Sequence, residues 1–151
     1  MKAHIPICED TPKYDLWLKV ILGGVLALTS ILGIIFVFQD TEAAAALFGI
    51  TLFDALLFKA VLPRRYQIFE DRLRILMGWP FAINIAISNI KEVKPAAGRK
   101  VLAYSGIRLA TSTQYVVEIV RKKGMNIIIS PSKFMFLEQL NQAKKVIDNP
   151  N

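Results

Sequence analysis

The sequence predicts an α-helical hairpin that spans a membrane, followed by an α+β domain: an antiparallel sandwich or barrel of about seven strands, capped by a C-terminal helix. Three observations predict this architecture. Two apolar segments, 16–38 and 43–62, each have about 20 residues, the length that crosses roughly 30 Å of hydrocarbon as a helix. Short runs of alternating apolar residues fill most of the remaining chain, and an amphipathic segment follows them.

The charge of the chain is concentrated after the apolar segments. The 151 residues carry a formal net charge of +7, and fifteen Lys and Arg from Pro63 onward outnumber six Asp and Glu. Positive segments flank membrane helices on the cytoplasmic side and attract anionic lipid headgroups. We therefore expect membrane lipids and no nucleic acid as partners of the basic part.

The flanks of the apolar segments predict their orientation. Lys2 and Lys13 precede the first segment, Asp40 and Glu42 are the charged residues of the short link, and arginines follow the second segment. Positive residues at both outer ends place both termini in the cytoplasm. The predicted divisions are a cytoplasmic tail (1–15), a two-helix transmembrane hairpin (16–62) and a cytoplasmic domain (63–151).

Asp54 lies near the middle of the second apolar segment, where a carboxylate is costly and often functional. Two interpretations give it a structural role: a protonated carboxyl that is hydrogen-bonded to Thr29 or Ser30 across the hairpin, or contact with a polar partner subunit. A proton or ion path is a third interpretation. Because two helices cannot enclose a pore, a transporter or channel component would have to be oligomeric.

The domain is predicted from a change of periodicity to two. Apolar residues alternate around Tyr66–Ile68, Leu73–Met77, Ile83–Ile87, Ile107–Leu109 and Tyr115–Ile119, and shorter apolar runs cover Ile90–Val93, Val101–Tyr104 and Met125–Ile129. A helix is expected to begin at Pro131 with Ser130 as its cap. Its apolar stripe comprises Phe136, Leu137, Leu140, Ala143 and Ile147.

The sequence lacks the residue sets of common catalytic and metal sites. One histidine, His4, and one cysteine, Cys8, exclude a histidine-rich metal site and an intrachain disulfide. Neither a Ser-His-Asp set nor a glycine loop for phosphate is present. The sequence therefore predicts a protein that is not an enzyme and that holds no cofactor or metal.

Several segments of the domain, in this order and spacing, resemble the bacterial pleckstrin-homology-like (PH-like) family, in the subgroup with membrane helices before the domain. These segments are Tyr66–Leu73, Ile87–Val93, Ser105–Leu109, Ser130–Ser132 and Phe136–Leu140. The resemblance implies a PH-like fold, a binding or scaffolding module without catalytic residues, and a multi-pass protein of the bacterial cytoplasmic membrane.

Two groups of residues are candidate binding sites. Arg64, Arg65, Arg72 and Arg74 are candidates for lipid headgroups, because guanidinium groups pair well with phosphate. Asp54, Trp79 and Phe81, with the apolar stretch up to Ile87, are candidates for contact with a partner.

The first functional hypothesis is an accessory or scaffold subunit whose PH-like domain mediates protein–protein contact with another integral membrane protein or in a homo-oligomer. The alternatives are a module that binds anionic lipid headgroups or a peptide, and a transporter or channel component.

Overall fold

The computed structural model describes residues 5–96 and 105–148. Its helices are α1 (Leu16–Phe36), α2 (Thr41–Val61) and α3 (Met135–Asp148). Its strands are β1 (Cys8–Asp10), β2 (Arg65–Ile68), β3 (Arg72–Leu76), β4 (Ala82–Ala86), β5 (Ile90–Ala96), β6 (Ile107–Leu109), β7 (Val116–Arg121) and β8 (Ile127–Ile129). The predicted architecture of a helical pair, a set of strands and a closing helix is confirmed, with one additional strand at the start.

Helices α1 and α2 form an antiparallel pair that is long and apolar enough to span a membrane. Asp40 is the N-cap of α2. Its carboxylate accepts hydrogen bonds from the backbone N–H groups of Glu42 and Ala43. Gly33 lies against the ring of Phe48, and the Thr51 hydroxyl donates to that of Thr29 at 2.9 Å. Small and hydroxyl-bearing residues thus line the seam between the helices.

The first sheet has the order β1-β2-β3-β4 and is antiparallel throughout. The predicted alternation is confirmed in β2 and β3, where Tyr66, Ile68, Leu73 and Ile75 are buried and the residues between them are not. Strand β1 comes from the segment interpreted above as a tail. It pairs with β2, with Cys8 opposite Ile68.

The second sheet has the order β5-β7-β8-β6. Strands β5, β7 and β8 are antiparallel neighbours, whereas β6 pairs with β8 in parallel. The three residues of β8 are all buried because both faces of this strand are covered. The predicted strand at Val101–Tyr104 lies outside the described residues.

Helix α3 closes the domain with its apolar stripe. Phe136 and Leu140 are fully buried, and the ring of Phe136 lies 5.9 Å from that of Tyr66. The expected start at Pro131 is wrong, since the helix begins at Met135. Pro131 instead forms a bridge with Pro12, and the hydroxyl of Ser130 is engaged elsewhere, so this segment runs extended beside the N-terminal residues.

The apolar stretch Phe81–Ile87 presents one face to the core and the other to solvent. Ile85 and Ile87 are buried and Ile83 is half-buried, while the exposed positions of β4 are Ala82, Asn84 and Ala86. The stretch is apolar because its isoleucines face the core. Phe81, at its start, remains exposed.

Candidate functional site

The turn between β3 and β4 is fixed against the end of α2. The backbone N–H of Gly78 donates to the carbonyl of Ala60 at 3.0 Å, and that of Arg64 donates to Leu76 at 2.7 Å. A Cβ at Gly78 would overlap the Lys59 carbonyl, so a residue without a side chain is required here. These contacts place the residues after Gly78 beside the first residues after α2.

A groove of about 230 Å³ lies at this junction, and we call it the arginine groove. Its charged walls are Arg64, Arg65 and Arg74, and its apolar walls include Trp79, Pro80 and Phe81. The side chain of Trp79 is 93% exposed and that of Phe81 53%. The structure thus brings three of the four predicted lipid-binding arginines together with both aromatic residues predicted to contact a partner.

The three arginines differ in their electrostatic surroundings. Arg65 forms an ion pair with Glu9 at 2.8 Å, and Gln67 donates to the same carboxylate. This hydrogen bond from Gln67, with the charge of Arg65, lowers the pKa of Glu9. Among the described residues Arg64 and Arg74 form no ion pair, so their positive charge is available to an anion.

Arg72, the fourth predicted arginine, lies outside the arginine groove. Its guanidinium is 5.7 Å from the centre of the Phe69 ring and 3.5 Å from the Asp71 carboxylate. It lines a second depression of about 390 Å³ with Phe69, Arg74 and Asn84. Arg72 and Arg74 are two positions apart in β3, so their side chains lie on the same face of the strand. Arg74 lines both depressions, which therefore adjoin.

The residue before α1 anchors that helix to the domain. Asp15 is buried, and its carboxylate accepts hydrogen bonds from the hydroxyl of Ser112, from the backbone and hydroxyl of Thr113, and from the Trp17 indole. Burial acts to raise the pKa of Asp15, but these hydrogen bonds outweigh it and the net shift is downward. We call Asp15, Ser112 and Thr113 the polar clasp.

Neighbouring groups continue the polar clasp. Ser130 accepts a hydrogen bond from the backbone of Thr111, and the Thr111 hydroxyl donates to the carbonyl of Lys13. At the same end of the hairpin, the Tyr14 hydroxyl donates to the carbonyl of Pro63, which follows α2. Sequence reasoning missed these contacts. The available signals were an Asp directly before a helix and the Thr-Ser-Thr run at 111–113, but nothing local joins residues about a hundred positions apart.

Asp54 lies half-buried in α2. The predicted hydrogen bond to Thr29 or Ser30 is not formed, because those hydroxyls donate to carbonyls of their own helix and Thr29 also accepts from Thr51. Within the described part of the chain, the Asp54 carboxylate has no hydrogen-bond or ion-pair partner. Of the two structural interpretations, contact with a partner is the one left open.

No cluster of three or more His, Cys, Asp or Glu that could hold a metal occurs within residues 5–96 and 105–148. Cys8 is half-buried in β1, and burial raises the pKa of its thiol.

Comparison with protein families decides the relationship that the strand pattern suggests. The sequence model of the family described as Bacterial PH domain matches residues 64–144, more than half of the chain. The chain belongs to the bacterial PH domain family. The match begins just after α2 and ends within α3, so the hairpin and strand β1 lie outside it. Neither curated proteins nor solved structures gave a match to this chain.

Membership of the bacterial PH domain family fixes the fold more firmly than the activity. A PH-like domain is generally non-catalytic, and the same fold can serve unrelated functions. The features particular to this chain are the arginine groove, the polar clasp and Asp54.

Proposed function

We propose that this protein is a non-enzymatic accessory subunit of a membrane complex, anchored in the bacterial cytoplasmic membrane by α1 and α2. Both termini face the cytoplasm. The hairpin contacts another integral membrane protein, and the PH-like domain is held at a set position beside it. The observation that carries this proposal is Asp54, a carboxylate in the middle of an apolar helix without a partner in the described chain.

Membrane anchoring is supported by the dimensions of the helices. Each has 21 residues, or about 31 Å at the rise of an α-helix, which matches the hydrocarbon core of a bilayer. Most of the hairpin surface is apolar and exposed, as expected for contact with lipid. The orientation follows from the basic residues at the outer ends and the acidic link, as argued from the sequence.

In a bilayer, Asp54 would lie about 4.5 Å beyond the central residue of α2. A carboxylate at that depth is costly unless another group donates to it. Since Thr29 and Ser30 are engaged elsewhere, the donor is expected from a neighbouring protein. Lys59 is five residues further along α2, which is too far round the helix for an ideal ion pair.

Two glycines of α1 support the same interpretation. A Cβ at Gly23 or Gly24 would meet no atom within 4 Å, so these residues are not used for packing inside the hairpin. Gly33, by contrast, is used in that way. Exposed small residues let a further transmembrane helix approach closely.

The test is quantitative co-purification of the full chain from its native membrane in mild detergent. We expect a stoichiometric membrane protein to co-purify, and Asp54→Leu to reduce its recovery about three- to thirtyfold, the range for one interhelical hydrogen bond in a membrane. Leu56→Val, at an exposed position of the same helix, is the matched control and should change nothing.

Other results would contradict the proposal in distinguishable ways. Recovery that is insensitive to Asp54→Leu would remove Asp54 from the contact. An Asp54-dependent assembly that contains only copies of this chain would replace the accessory subunit with a homo-oligomer. Ion flux in reconstituted vesicles that Asp54→Asn abolishes would favour a channel component.

A further inference from the structure

We infer that the arginine groove is a binding site for the headgroup of an anionic phospholipid, with Arg64 and Arg74 on the phosphate and Trp79 and Phe81 on the glycerol and upper acyl chains. This inference rests on the membrane placement proposed above, but not on a protein partner. It assigns a ligand to a surface that the contact at Asp54 does not use.

The position of the groove selects a lipid as the ligand. Gly78 is hydrogen-bonded to Ala60 in the last turn of α2. Trp79, the next residue, therefore lies at the level where that helix leaves the hydrocarbon. A free phosphate ester would not require the apolar wall of Trp79, Pro80 and Phe81. A phospholipid uses both walls, because its phosphate and its acyl chains are joined at this depth.

The exposed aromatic residues favour the same ligand. Trp79 is 93% exposed in the isolated chain, which is an unusual state for an indole in water. Tryptophan is enriched at membrane interfaces, where its ring contacts apolar groups and its N–H remains hydrated. The exposure of Trp79 shows that its side chain is not packed in the core. A lipid interface is the environment that this side chain fits.

The charges of the groove select an anionic headgroup. Arg65 is partly neutralised by Glu9, whereas Arg64 and Arg74 form no ion pair with the described residues. Guanidinium groups bind phosphate oxygens through two parallel N–H donors. Lys59, in the last turn of α2, adds a further positive charge at this end of the hairpin.

Fluorescence quenching by brominated lipids tests the inference in the full chain. The chain has two tryptophans, so Trp17→Phe leaves Trp79 as the only one. The protein is reconstituted into phosphatidylcholine vesicles that contain a fixed fraction of brominated phosphatidylglycerol or brominated phosphatidylcholine. We expect quenching of Trp79 to show that the anionic lipid is favoured by about fivefold or more, the effect of a single basic residue near an anionic surface.

Three double variants distinguish lipid binding in the arginine groove from the effect of general surface charge. Arg64→Gln with Arg74→Gln should reduce the preference to less than about twofold, while Lys122→Gln with Lys123→Gln, which removes equal charge from an exposed turn, should leave it intact. Arg64→Lys with Arg74→Lys retains charge but not the guanidinium fork, and should give an intermediate preference.

Several results would overturn the inference. These are equal quenching by both lipids, no quenching by either, or equal losses in the two glutamine variants. Loss of the preference on adding excess glycerol phosphate would point to a soluble phosphate ester instead. Protein that a carbonate wash removes from the vesicles would contradict the membrane anchoring as well, whereas retained protein without a lipid preference would contradict this inference alone.

Discussion

At the scale of single residues, Asp15 shows how one carboxylate can join distant parts of the chain. It precedes α1 directly, where a helix commonly has a capping residue. Its side chain makes no cap bond to α1 and binds Ser112 and Thr113 instead. The carboxylate thereby fixes the start of the hairpin to the loop before β7, and its ionised form is the one that accepts all of these hydrogen bonds.

The stability that Asp15 contributes should depend on pH. Because the pKa of the folded carboxyl is lowered from 3.8, its contribution is fully present above that pH and is lost as the pH falls through the folded value. We expect Asp15→Asn to lower the free energy of unfolding at pH 7 by about 1 to 3 kcal/mol. The measurement is urea unfolding in mild detergent from pH 7 to pH 3.

The difference between the parent chain and Asp15→Asn should shrink below about pH 4, since protonation then removes the advantage of the parent. Asp71→Asn, at an exposed carboxylate, is the control and should change the free energy of unfolding by less than about 0.5 kcal/mol. A difference at Asp15 that stays constant down to pH 3 would show that the ionised form is not what the polar clasp requires.

At the scale of elements, the contact of the β3–β4 turn with α2 depends on Gly78. A Cβ at this position would meet backbone atoms of Lys59 and Ala60, which cannot rotate away as a flexible side chain could. We expect Gly78→Ala to cost about 1 to 3 kcal/mol through this overlap. For a domain of this size, that corresponds to a fall in Tm of at least about 4 °C, measured by thermal unfolding in detergent.

Gly49→Ala is the matched control for Gly78→Ala. A Cβ at Gly49 meets nothing within 4 Å, and alanine is the better residue inside a helix, so Tm should not fall. An equal fall in both variants would mean that the turn does not pack on α2 as described.

The elements that the sequence predicted well are those with strong local patterns. Uninterrupted apolar runs predicted α1 and α2, and alternation predicted β2 and β3, because burial of one sheet face imposes a period of two. The start of α3 was misplaced, since Pro131 has a local preference for a first helical turn but bridges Pro12 in the fold.

The candidate site was predicted in its residue types but not in its arrangement. Arg64 and Arg65 are adjacent in sequence, yet their grouping with Arg74 and Trp79 depends on the register of β2 and β3. The polar clasp was not predicted at all, because its partners are about a hundred residues apart. Contacts at that separation leave no periodic signal in a single sequence.

At the scale of the whole molecule, the hairpin is an insertion into the first sheet. The chain forms β1, leaves the sheet through α1 and α2, and returns as β2 directly beside β1. The predicted boundary at residue 63 therefore separates a strand from its sheet. A domain cut there would expose the edge of β2, which is a site for unwanted strand pairing.

This insertion predicts how a soluble form of the domain can be obtained. Tyr14 is hydrogen-bonded to Pro63, so a short Gly/Ser linker that replaces residues 16–62 can join the two ends and keep Asp15 in the polar clasp. We expect the linked chain to be monomeric and to unfold cooperatively, because it retains β1 and the hydrogen bond of Asp10 to Lys133, just before α3. The chain of residues 63–151 alone should aggregate or unfold at a Tm lower by at least about 4 °C, for the loss of even 1 kcal/mol.

The oligomeric state and the Tm of the two chains are compared by size-exclusion chromatography and thermal unfolding. Asp10→Ala in the linked chain is an intermediate case. Asp10 is buried and accepts a hydrogen bond from the backbone N–H of Lys133, so this variant keeps β1 but loses its bond to the segment before α3. Equal stability of residues 63–151 and the linked chain would show that β1 is dispensable. The domain would then begin after the hairpin, as the sequence predicts.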